Sequence, residues 1–218
     1  MSEYGEIVDA LKGIMAETFA AYGPESLWRL RSELHLLQTY LDSHGEKRAD
    51  LRAAVQATLA LTADAHAFHV ELRSALTDKQ YTQFASVLDL GAIGTLALEN
   101  LLTAEKITIP RLLLNALSEL LVYLASREYV KGADSRAAAA LQARASPLQD
   151  EVWATLGRYR KKASSAELRE AQRAIDGFFG TLATGALPAE ARAALLAGTF
   201  QILLRLRCAE VLQLAARS

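Results

Sequence analysis

Apolar residues recur along this chain at alternating steps of three and four, the spacing that lines one face of an α-helix. The clearest run is Leu27, Leu30, Leu34, Leu37 and Leu41, which places five leucines on one seam of a helix that starts at Gly23-Pro24. Upstream, Ile7, Leu11, Ile14 and Thr18 give a first helix over about residues 3–22. Downstream, Leu51, Val55, Thr58, Thr62, Ala65, His69, Leu72 and Leu76 carry the same rhythm through a third helix over about 48–76. Thr77, followed by Gln80, reads as a capping box that opens a fourth.

The pattern stays helical beyond that point. Gly91 and Gly94 punctuate a short segment, and Leu112 to Leu124 form an apolar helix opened by Pro110. Pro147 opens another helix, Ser164 with Glu167 forms a second capping box, and Pro188 opens the last helix, through Leu195, Phe200, Leu203 and Leu212. All four prolines fall where a helix begins, the position at which a missing N–H costs nothing. Strand-like alternation is confined to Lys106 to Ile109, read as an extended linker into Pro110. The expected fold is all-α: a multi-helix bundle of about ten helices, with a short HEAT-like α-solenoid as the alternative.

An internal duplication organises that bundle. Ala49-Asp50-Leu51-Arg52-Ala53-Ala54 returns 84 positions later as Ala133-Asp134-Ser135-Arg136-Ala137-Ala138, and Gly94-Thr95-Leu96-Ala97 returns as Gly180-Thr181-Leu182-Ala183. The offset changes mostly where loops are expected, as an insertion in a surface connection would make it do. The domain reading is an N-terminal helical hairpin over 1–47, a first repeat over 48–131 and a second over 132–218, packed as one globular unit. Asp89 and Asp176, which precede the two Gly-Thr-Leu-Ala runs, read as capping or turn residues.

Composition adds limits. Over 218 residues the chain is 51% hydrophobic and 22% charged, an ordinary foldable balance. Charge is uneven: −4 over 1–47, −1 over 48–131 and +4 over 132–218. Such asymmetry fits an acidic partner, an anionic surface or head-to-tail self-association. The lone Cys208 rules out an internal disulfide and, among Leu206, Val211 and Leu212, reads as a small buried hydrophobe. With no basic leader and no membrane-length apolar run, a cytoplasmic protein is expected.

Chemistry-bearing patterns are scarce. His66 and His69 lie three apart on one helix, but Glu-x-x-His and His-Glu-x-x-His are absent, so no metal site and no cofactor are assigned. Gly-x-Ser-x-Gly and a phosphate loop are missing too, and the balance leans against an enzyme. Arg158, Tyr159, Arg160, Lys161 and Lys162 form a basic run able to contact phosphate or nucleic acid, although bases also complement a helix C-terminus. Glu119, Arg205 and Arg207 interrupt the two most apolar helices, and an inward-facing acid–arginine pair would hold the two copies in register.

The favoured function at this stage is a non-enzymatic protein–protein interaction module, a subunit or adaptor that contacts another protein or itself. Its expected contact seam is exposed Leu27, Leu30, Leu34, Leu37 and Leu41. An accessory nucleic-acid-binding subunit using the basic last third is the alternative. A helical enzyme or sensor with a small-molecule or metal pocket is the third reading.

Overall fold

The computed structural model describes residues 2–44, 48–79, 81–82, 149–151, 154, 165–183 and 189–217. These residues are helical with short connections, and among them there is no strand. Five helices are described: α1 (Glu3–Ala20), α2 (Pro24–Ser43), α3 (Ala49–Ala75), α4 (Ser165–Ala183) and α5 (Ala189–Ala215). The helices expected between Phe84 and Ala145 lie outside the described part, as does one member of each pair of echoed segments, 94–97 and 133–138.

Local chemistry sets the first corners. Ser2 caps α1 by accepting from the Gly5 N–H at 3.3 Å. Between α1 and α2, Pro24 takes the first helical position while the Gly23 N–H donates to Ser26 Oγ at 3.1 Å. That hydroxyl in turn donates to the Ala21 carbonyl at 2.8 Å, which ties the end of one helix to the start of the next.

Packing closes four of the helices into a ring: α1 lies on α2, α2 on α3, α3 on α5 and α5 on α1. Named contacts give the directions. Glu17 meets Arg29 and Tyr4 meets Tyr40, so α1 and α2 are antiparallel. Glu25 meets Arg73 and Asp42 meets Arg52, so α2 and α3 are antiparallel. The Tyr4 hydroxyl donates to the Ala215 carbonyl at 3.0 Å while Arg205 reaches Phe19, so α5 runs against α1.

Inside the ring lies one apolar cluster, to which α4 adds Ile175, Phe178 and Phe179. Here the leucine seam of α2 departs from expectation. Leu27, Leu30, Leu34, Leu37 and Leu41 are each 0% exposed, buried with Leu11 and Met15 of α1 and Val55 and Phe68 of α3. Their burial contributes roughly 2 kcal/mol apiece, and the same surface is not left over for a partner. The reason is geometric: α2 has helices on both flanks, and a stripe of alternating three and four steps is the surface that such neighbours cover.

Two further points correct the sequence reading. Asp176 lies in the middle of α4 and is exposed, so it neither caps nor turns; the apolar contacts of Ile175, Phe178 and Phe179 hold that stretch helical. Apolar periodicity also underestimates α5. Residues 196–209 are buried at every position, so this stretch of the helix is enclosed on all sides, including at Thr199, Gln201, Arg205 and Arg207. Among the described residues no helix is long and apolar enough to cross a membrane.

Truncation of the inner and outer faces of α2 should therefore differ sharply. Leu34→Ala is expected to cost about 2–5 kcal/mol in urea unfolding, while Leu36→Ala, on the outer face, should stay within about 0.5 kcal/mol of the parent. Equal effects at the two positions would contradict the assignment of inside and outside.

Candidate functional site

Opposite its buried seam, α2 carries a second stripe. Trp28, Ser32, Leu36 and Tyr40 follow at steps of four and share the outward side of the helix. Trp28 is 59% exposed and Leu36 54% exposed, and Val70 of α3, on the neighbouring flank, is 43% exposed. These three are the large hydrophobic residues left in solvent among the described residues, and all belong to the wall formed by α2 and the helices beside it. The hydroxyls on this wall are turned back onto their own helix. Ser32 donates to the Trp28 carbonyl at 3.1 Å, Thr39 to His35 at 2.9 Å and Ser43 to Thr39 at 2.8 Å. A stripe with its donors already used is less polar than its composition implies.

Two grooves flank this stripe at opposite ends. The first, about 550 Å³, runs between α2 and α3, with Pro24, Trp28 and Val70 as its apolar lining and Arg29, His66 and Arg73 among its polar residues. Glu25 Oε1 accepts from Arg73 Nη1 at 2.6 Å on its rim. A hydrogen bond from its own backbone, and then that from Arg73, hold the Glu25 carboxyl below the usual carboxylate range. The second groove, about 460 Å³, lies between α1 and the C-terminal half of α2. Ile7, Leu36 and Tyr40 line it, with Glu3, Glu6 and Glu33 and, among the described residues, without a lysine or arginine.

Beneath the first groove the helix ends enclose a polar cluster. The Tyr22 ring stands edge-on to His69 at 5.1 Å between centroids, and His69 Nδ1 meets the Tyr81 hydroxyl at 3.1 Å. Burial, and secondarily the charge of His66, pushes the His69 pKa down to about 4. Its Nε2 and the Tyr22 hydroxyl are buried without a hydrogen-bond partner among the described residues. Burial pushes the Tyr22 and Cys208 hydrogens to be held more tightly, only partly offset by Arg205. A thiol shifted upward is the opposite of an activated nucleophile, so Cys208 sits as the small buried apolar residue expected of it. His66 faces the first groove while His69 turns into the core, and among the described residues no group of three or more His, Cys, Asp or Glu is placed to hold a metal ion.

Arg205 and Arg207 both face inward. The Arg205 guanidinium lies 4.6 Å from the centre of the Phe19 ring and donates to the Phe19 carbonyl at 3.4 Å. Arg207, 1% exposed, donates from Nε to Glu151 at 3.0 Å, again to Glu151 from Nη2, and from Nη1 to Glu210 at 3.2 Å. Both acids lie within 132–218, the segment expected to be a second repeat, so these pairs do not join it to 48–131; Glu119 lies outside the described residues. Arg158, Arg160, Lys161 and Lys162 lie outside them as well.

What sequence reasoning missed is the outer wall. The signal was present as the step-of-four run from Trp28 to Tyr40, masked by the stronger leucine rhythm on the opposite face.

Two consequences are measurable. Folded His69 holds its proton only below about pH 4, whereas the unfolded histidine takes one up near 6.5. The unfolded state thus binds more protons across that window, and stability should fall as pH drops from 6.5 towards 4, by up to about 1.4 kcal/mol per unit. His69→Gln should flatten the dependence of the urea midpoint between pH 7 and 5. Separately, Glu151→Gln should destabilise by about 1–3 kcal/mol because it weakens a charged hydrogen bond to a buried arginine, whereas neighbouring exposed Asp150→Asn should be neutral.

No protein-family model matches the chain, and neither curated proteins nor solved structures give a match.

Proposed function

We propose that this chain is a helical protein–protein interaction module that engages another polypeptide through the outer wall of α2. The observation that carries the reading is the confinement, among the described residues, of exposed large hydrophobic side chains to that wall, at Trp28, Leu36 and Val70. Large aromatic and aliphatic side chains in solvent are ordinary when scattered, whereas a shared face with neighbouring grooves fits helix-in-groove recognition. Tryptophan is the residue type most enriched among anchors that dominate binding energy. The surface differs from the one expected from the leucine seam, which the intramolecular core consumes. The 84-residue echo belongs to the same proposal: a repeated helical unit supplies a stable scaffold on which one wall is left for contact.

Photo-crosslinkable residues placed at Trp28, Leu36, Val70, Lys12 and Asp64 test this in cells producing the protein. Discrete adducts at positions 28, 36 and 70, with none at exposed Lys12 and Asp64, are expected. Adducts spread evenly over all five positions, or absent from all, would remove the reading.

A further inference from the structure

Where α3 ends, it meets the corner between α1 and α2 through three contacts. His69 stands edge-on to Tyr22 at 5.1 Å between ring centres. The hydroxyl of Tyr81, just beyond α3, lies 3.9 Å from where a Cβ on Gly23 would sit. Arg73 donates to Glu25 at 2.6 Å. His69 is the buried member of the set, 1% exposed, whereas the Arg73–Glu25 pair lies in solvent and holds weakly.

The histidine suits this place in one charge state. Nδ1 meets the Tyr81 hydroxyl at 3.1 Å, and Nε2 is buried with no hydrogen-bond partner among the described residues. One nitrogen of a neutral ring carries no hydrogen, so Nε2 can stand as an unused acceptor. A protonated ring instead has two N–H donors and a full charge, for which the described residues offer one hydroxyl and no carboxylate. Burying a charge on those terms is costly, and moving the ring into water removes the cost.

We infer that this corner is an acid-operated latch: a proton on His69 lifts residues 69–76 with Tyr81 away from residues 22–25, while the remainder of the ring stays packed. The break falls after Phe68, which packs on Phe200 at 5.5 Å between ring centres. The start of α3 is tied separately, by Arg52 to Asp42 and to the Leu41 carbonyl. Val70 and Arg73 ride on the lifted turns, so the α3 side of the first groove leaves with them.

Other groups at the corner keep their charge through mild acid. Burial keeps Tyr22, Tyr81 and Cys208 protonated. Glu25 is held below the usual carboxylate range by its own backbone and by Arg73, so that pair stays ionised. Arg205, which acts on Tyr22 from α5, is a cation throughout. His66, one turn before His69 and on the groove side, is the second histidine at this end. Closed, the corner holds His69 to a pKa of about 4, against 6.5 in water. Opening therefore takes up a proton between those values, and the open fraction rises as pH falls, by up to about tenfold per unit. None of this depends on what the outer wall binds.

Amide hydrogen exchange of the full chain between pH 6.5 and 4.5, corrected for intrinsic rates and read by mass spectrometry, tests the latch. Protection over 70–76 should fall by up to about tenfold per pH unit and respond weakly to low urea. Residues 51–61 should stay at least about tenfold better protected and respond steeply to urea. His69→Gln should abolish the pH dependence over 70–76, and His66→Gln should retain it. With His69→Gln unfolded, the pH and urea responses of the wild-type chain decide. Equal protection and equal urea slopes over the two segments overturn the proposal, because they describe one global unfolding. So does protection over 70–76 that ignores pH, or a pH dependence that survives His69→Gln.

Discussion

Burial of the α2 leucine stripe between α1 and α3 is the interaction on which the described structure depends. Five side chains at 0% exposure form the middle of an apolar cluster that runs from Leu11 on α1 to Leu212 on α5. Once that stripe is inside, the rest of the ring has little freedom. The short connection of residues 21–23 forces α1 and α2 antiparallel, α3 returns along α2, and α5 closes the remaining side. Polar contacts then fix the ends rather than drive the assembly. Tyr4 illustrates this: its hydroxyl accepts from Arg48 at 2.6 Å and donates to the Ala215 carbonyl, joining three helices at one corner.

Polar groups inside such a core are costly unless hydrogen bonds replace water. Thr58 and Thr62 meet the condition locally by donating to the carbonyls of Ala54 and Thr58 at 2.7 and 2.6 Å. Arg207 meets it with two carboxylates from Glu151 and Glu210. His69 meets it differently, by giving up its charge: burial keeps the ring neutral and Tyr81 satisfies one nitrogen. The same low-dielectric setting holds the Cys208 thiol in its protonated form.

The diagonal placement of α5 and α2 in the ring separates enclosed from presented surface. Residues 196–209 of α5 are covered on every side, whereas α2 faces α1 and α3 laterally and solvent outward. Function on this reading lies at the outside of the ring, where apolar side chains are left over after the core is complete. Two grooves lie there beside α2, one lined by Trp28 and Val70 and the other by Leu36 and Tyr40.

Periodicity alone determined that the chain is helical and where its first three helices begin and end, because helix ends obey local rules of proline, glycine and hydroxyl capping. It also marked Leu27 to Leu41 as a contact surface, since five leucines on one seam must be covered by something. Whether that cover was a partner or the chain itself is a long-range question, and only the tertiary structure decided it, by setting α1 and α3 on either side. The same holds for α5, where the direction of Arg205 and Arg207 stayed open until the burial of residues 196–209 fixed it. The residues left exposed are a remainder, defined by what neighbouring helices do not cover. Local sequence encodes which face is apolar, but not which apolar face packing leaves open.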